Sequence, residues 1–257
     1  MIADRLQYRA AIYAAVYTPP LRLTRDQAMG LYKRIAESGF PKLKLEYNPD
    51  ENERPFKIIM EEKGEGRRID KITVDIFQGR LRLSIDQAWP DSFGVACKKA
   101  DQIVEVFGEI VSECEVQISE ARVRAQVSIG VSSSKDYMIS TLMPTVSTRL
   151  QNLGQIEFLG LRLQTAPELV GLSSHLDAPA REVTIEPLRQ EPGFLYLEVM
   201  SNWGRQALRP VPEKPGQAEL VPGPLTLLSG PLKPSDYLGE VKGYIEDNLC
   251  PFLEKGQ

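Results

Sequence analysis

Between Ala121 and Val131, in the run ARVRAQVSIGV, apolar and polar positions alternate without a break. Ala121, Val123, Ala125, Val127, Ile129 and Val131 stand against Arg122, Arg124, Gln126, Ser128, Gly130 and Ser132. A period of two predicts a β-strand with one buried and one wet face. At ~3.4 Å per residue such a strand spans most of a small domain. Tyr8 to Tyr17 predicts an earlier strand whose alternation is imperfect, as in a strand covered on both faces or lying next to a helix. The period then changes. Ala28, Leu31, Tyr32 and Ile35 fall at helical spacing behind Thr24, with Gln27 three residues on and Gly39 beyond. That is a capping box, a single apolar face and a stop.

Leu43–Tyr47, Phe56–Glu62, Ile69–Phe77 and Arg80–Asp86 predict short strands, with residues 63–68 as a hairpin connection and Gln78–Gly79 as a tight turn. A second amphipathic helix is expected from Ser92 to Glu113, on the stripe Ala96, Ala100, Ile103, Val104, Phe107 and Val111. Residues 136–150 are ambiguous: Tyr137, Leu142, Met143 and Val146 suit a short helix that Pro144 interrupts. Ile156–Thr165 predicts a strand, and Arg181–Leu188 with Phe194–Ser201 an antiparallel hairpin. Arg209 to Pro224 holds five prolines and is expected to be an irregular surface loop with polyproline II character. Ser235 and Asp236 are expected to cap a last helix running to about Phe252.

This order predicts an α+β fold: antiparallel sheets with helices packed on one face. Residues 1–113 and 114–257 have a similar plan, so the chain divides into an N-terminal and a C-terminal α+β half, either separate or forming one continuous domain. A duplication is one explanation, although no residue-level repeat accompanies it.

Composition narrows the function classes. The chain has 257 residues, enough for a full core, with 42% hydrophobic and 26% charged residues. A formal net charge of -4 argues against binding nucleic acid through bulk positive charge. The N-terminus mixes acid and base without the apolar core of a signal peptide, and no run approaches a membrane span, so a cytoplasmic protein without membrane contact is expected. Cys97, Cys114 and Cys250 are odd in number and lack metal-site spacing; buried small hydrophobes are the expectation. The single histidine, His175, stands in LSSHLDAP without a nucleophile elbow, so no hydrolase triad is assigned. The paired carboxylates Asp50-Glu51, Glu61-Glu62 and Glu113/Glu115 do not predict convergence on a metal. No strand-to-helix junction carries a glycine phosphate loop. No catalytic residue, metal or cofactor is therefore expected.

Two surfaces remain. Tyr196, Trp203 and Arg205 stand beside the proline-rich stretch and are the candidate contacts for a protein partner, with Trp203 equally able to close the core. Arg80, Arg82, Arg122 and Arg124 would line one sheet face if their strands lie close, which suits a phosphate backbone or an acidic protein. The plainer alternative is a solvated face salt-bridged to Asp75, Asp86 and Glu120. No aromatic alternation of an RNA-recognition sheet accompanies these arginines.

In element order the chain resembles a sporadically distributed bacterial family of uncharacterised proteins often found among antiviral defence genes. The resemblance rests on IYAAVYTPPLRLTRDQAMGLYKRI, LRLSIDQAW, VRAQVSIGV, EVTIEPLR with FLYLEV, and the closing YLGEVKGYIEDNLCPFL. It implies an accessory or adaptor protein of phage defence or a CRISPR-associated operon, and it carries over no catalytic residue. The expectation is a non-enzymatic adaptor that sequesters or positions a partner protein. An RNA- or DNA-binding accessory is the alternative, and an enzyme of unrecognised type the third reading.

Overall fold

The computed structural model describes residues 2–21, 23–38, 43–47, 56–63, 69–77, 79–86, 93–110, 115–143, 159–165, 179–204, 206–210, 218–222 and 233–254. Its centre is a nine-stranded antiparallel sheet. The strands are β1 (Leu6–Leu21), β2 (Leu43–Tyr47), β3 (Phe56–Lys63), β4 (Ile69–Phe77), β5 (Gly79–Asp86), β6 (Glu115–Ser128), β7 (Leu161–Thr165), β8 (Ala180–Pro187) and β9 (Phe194–Gly204). Their order across the sheet is β2-β3-β4-β5-β1-β6-β9-β8-β7. The helices are α1 (Arg25–Glu37), α2 (Phe93–Ile110), the single turn α3 (Ser134–Tyr137) and α4 (Pro234–Tyr244). A π-helical stretch, Met138–Leu142, continues α3; another, Ile245–Leu249, joins α4 to a last turn, α5 (Cys250–Glu254). The α+β class with helices on one face is thus observed.

Alternation decides which face is which. One register row crosses the whole sheet as Leu163, Val183, Val199, Val123, Ala11, Ile85, Ile72, Met60 and Leu43. Seven of these nine are buried, and the partly buried Leu43 and exposed Leu163 stand at the two edges. The helices pack on this face through Tyr8 against Phe93, Tyr17 against Phe107, and Tyr237 against both Tyr13 and Trp203. The next row is polar: Gln164, Glu182, Met200, Arg122, Ile12, Ser84, Thr73, Ile59 and Lys44. It lies on the far face, over which none of the described helices packs.

β1 explains its own imperfect alternation. Ala10 through Ala15 are all buried, because the helices cover Ala11, Tyr13 and Ala15 while charged side chains lie over Ala10, Ile12 and Ala14. A bulge at Arg9 shifts the register with β6 between Tyr8 and Ala10. The extra residue keeps both flanking segments in phase with the core.

Several boundaries differ from expectation for local reasons. β6 stops at Ser128, because Gly130 takes φ 72° and turns the chain toward α3. α4 is not capped by Ser235. Its N-cap is Lys233, whose backbone N–H donates to the Asp236 carboxylate at 3.0 Å, with Pro234 in the first turn. The proline-rich stretch is not wholly irregular. Strands β10 (Gln206–Pro210) and β11 (Ala218–Pro222) pair antiparallel, and their prolines fall at the last position of each strand, where a missing N–H costs least. Residues 211–217, Cys114, His175, the Asp50-Glu51 pair and Glu113 lie outside the described residues. Cys97 and Cys250 are free and buried, as small hydrophobes are expected to be.

Candidate functional site

The far face carries a chain of alternating charges, and the sheet order builds it. β5 and β6 are not neighbours; both pair with β1, so Arg80 and Glu120 stand two strand spacings apart, ~10 Å. The narrow strip of Ala10 and Ala14 on β1 lets long side chains lean across it. Arg80 Nη2 donates to Glu120 Oε2 at 2.8 Å, bridging β5 to β6 over β1. Arg122 lies 3.6 Å from the other Glu120 oxygen and donates to Glu198 Oε1 at 3.4 Å. Arg124 Nε donates to Glu198 Oε2 at 2.6 Å. The series Arg80, Glu120, Arg122, Glu198, Arg124 therefore alternates in sign from β5, across β1, to β6 and β9.

Two neighbours complete it. The Tyr196 hydroxyl donates to Glu198 Oε2 at 2.8 Å, and Arg122 Nη2 donates to Met200 Sδ at 3.0 Å. Burial alone would raise the Glu198 carboxyl. The hydrogen bonds from Arg124 and Tyr196 and the charges of Arg122 and Arg124 outweigh it, and hold Glu198 below the ordinary carboxylate range. Tyr196 is driven well above the ordinary phenol value by burial and by donating to an anion. Tyr196 thus stays a protonated donor and Glu198 an ionised acceptor throughout the neutral range.

Arg82 differs from the other three arginines. It lies on the same face, between Ala14 and Asp75 in register, and makes no ion pair among the described residues. The face thus presents an internally bonded ladder of three guanidiniums and two carboxylates, with the Arg82 guanidinium, unpaired among the described residues, beside it.

The four arginines and Glu120, which the sequence placed on one face only if their strands lay close, do share it, with β1 between the strands that carry them. The sequence missed Glu198, which carries the most bonds, because its position opposite Arg124 depends on β9 pairing with β6 across a long separation in sequence. Of the expected protein contacts, Tyr196 is on this face, while Arg205 lies outside the described residues. Trp203 is corrected: it is 7% exposed and packs edge-on against Tyr237, with ring centroids 4.8 Å apart. It points to the helix side and closes the core, so its side chain is no surface anchor.

A shallow depression of about 670 Å³ lies at the end of β6, lined by Arg5, Gly130, Ser132, Ser133, Asp136 and Ser140, among others. It is open to solvent, and the lining Tyr137, whose phenol is held above its ordinary value by burial and by the charge of Glu254, donates its hydroxyl to the Leu253 carbonyl. Among the described residues, no three His, Cys, Asp or Glu side chains are grouped as metal ligands. No described helix is long and apolar enough to cross a membrane. The chain matches no family model and no curated protein.

Proposed function

We propose that this protein is a non-enzymatic binding protein that holds a partner protein against the far face of its sheet. The observation that carries this reading is the pre-ordered ladder itself. Side chains that would otherwise lose rotamer freedom on binding are already fixed by one another, which lowers the entropic cost of association. Tyr196 and Met200 beside arginine supply the residue types favoured in protein interfaces. The mechanism is mass action: stoichiometric binding that sequesters the partner or positions it. The resemblance in element order supports a cytoplasmic setting in antiviral defence, in a phage-defence or CRISPR-associated operon.

Binding of RNA or DNA by the same face is the competing reading. Its electrostatics are weaker, because Arg80, Arg122 and Arg124 already share Glu120 and Glu198. A phosphate backbone would have to displace those carboxylates or accept their repulsion.

Tagged protein pulled down from its native host, with half of each sample treated with nuclease, separates the two. The expected result is one stoichiometric, nuclease-resistant protein that is lost with Arg82→Glu, a substitution that breaks no ion pair among the described residues. Nucleic acid in the eluate, with the protein lost on digestion, would overturn the adaptor reading.

A further inference from the structure

The opposite face of the sheet holds a second polar cluster, separate from the ladder. Arg181 on β8 and Ser201 on β9 are register partners, both turned toward α4. Arg181 pairs through Nη2 with Glu240 Oε1 of α4, and its guanidinium carbon stands 4.6 Å from the centre of the Tyr244 ring. The pair is monodentate. Arg181 Nε and Glu240 Oε2 are buried and make no hydrogen bond among the described residues. Ser201 Oγ, on a side chain of zero exposure, makes none either. A fourth such atom, Trp203 Nε1, lies two residues further along the same face.

Unsatisfied buried polar atoms are rare because each costs about 1–3 kcal/mol. Arg181 and Glu240 form one ion pair and Ser201 is the register partner of Arg181, so a single partner at this seam would satisfy all three atoms. Its chemistry is set by what surrounds it. Arg181 and Glu240 already neutralise each other, so the partner carries no charge. It must accept from Arg181 Nε–H and donate to Glu240 Oε2, while Ser201 can do either. It must also be small, since α4 packs against the sheet here through Tyr237 and Val241.

We infer that an ordered internal water molecule occupies the seam between α4 and strands β8 and β9, bridging Arg181 Nε, Glu240 Oε2 and Ser201 Oγ. Three polar partners are the usual complement of a buried water. Held there, it fixes the Arg181 side chain and couples the C-terminal helix to the outer strands of the second half of the sheet.

A crystal structure at a resolution that shows ordered water tests this directly. The expected result is a water peak within hydrogen-bond distance of all three atoms. A bidentate Arg181–Glu240 pair with no peak beside Ser201 would overturn it. Thermal unfolding of Ser201→Ala gives an independent sign. If the hydroxyl holds the water, the melting temperature falls by about 2–4 °C, as the loss of one buried hydrogen bond does in a chain of this size. An unchanged or higher melting temperature would mean the hydroxyl is unpaired, and would sink the inference.

Discussion

Glu198 shows how a residue can be both buried and charged. Its side chain is 18% exposed, yet it stays ionised because two guanidiniums and a phenol point at it. A depressed carboxyl pKa contributes stability that is fully present above the ordinary value of 4.5 and is lost as pH falls through the folded-state value. Glu198→Gln removes that contribution. It is expected to cost about 1–2 kcal/mol at neutral pH, reduced by solvent screening because Arg124 is more than a third exposed. Urea unfolding across pH checks this: the wild-type and variant curves should converge in acid, where the wild-type carboxyl is itself neutral. Curves separated equally at all pH values would assign the loss to packing instead. The thiols follow the opposite sign. Burial first, then the charge of Asp101, pushes Cys97 up to about 12 against the opposing charge of Lys242; burial with Glu246 and Glu254 pushes Cys250 up to about 11. Both are expected to resist alkylation in the native protein at pH 8 and to react once it is unfolded. Stability falls as pH rises from the ordinary thiol value of 9.0 toward the folded-state value, because the unfolded chain loses the proton first. Unfolding measured between pH 8 and 10 should therefore fall more steeply for wild type than for Cys97→Ala. At this scale the sequence was informative about type and weak about place. Cysteines without metal spacing are buried wherever helices pack, so their fate was legible. Trp203 suits a hairpin end or a core equally well, and only the position of α4 over β9 decides between them.

The elements were the most legible level, because each is specified by neighbours in sequence. α1 is an example: Gln27 N–H donates to Thr24 Oγ1 at 3.3 Å, and Gln27 Oε1 accepts from Thr24 N–H at 2.9 Å. Thr24→Ala removes the side-chain half of the box while its backbone N–H can still donate to Gln27, and is expected to cost about 1 kcal/mol. The melting temperature should then drop by about 2–4 °C, with no change in far-UV circular dichroism at 20 °C. A loss of helical signal at that temperature would show that the cap nucleates α1 rather than merely stabilising it. Where the sequence failed at this scale, a long-range or backbone effect intervened. β6 ends three residues earlier than the alternation predicts because Gly130 leaves the extended region, although Ile129 remains buried. β10 and β11 pair despite a proline count that argues against strands, since the prolines at 210 and 222 sit at the strand ends. Periodicity reports which face a residue takes, and is silent about where the chain must turn.

At the scale of the molecule, the two halves repeat one plan around the β1–β6 pair. Moving outward from β1 come β5, β4, β3 and β2; outward from β6 come β9, β8 and β7. In each half a long strand leads to a helix, then to a run of antiparallel strands whose last member returns beside the long strand, and a closing helix follows. The two closing helices, α2 and α4, contact each other, with Ser235 N–H donating to Asp101 at 2.9 Å. The sequence left open whether the halves are separate or form one continuous domain; that they share one sheet and one core depends on pairings such as Leu6 with Val127, between residues about a hundred positions apart. That shared sheet yields a further prediction. Cutting the chain between α2 and β6 would expose the inner edge of β1 in one fragment and of β6 in the other, each a long unpaired strand beside half of an apolar face. Residues 1–113 and 114–257 expressed separately are therefore expected to be insoluble. Co-expressed, they should form a soluble one-to-one complex by restoring the β1–β6 ladder, which size-exclusion chromatography with light scattering would detect. Either fragment recovered alone as a monomer with cooperative unfolding would mean that the halves are independent domains. The ladder joining Arg80 to Glu120 would then be a contact between domains, and the far face a surface whose shape changes with their relative position.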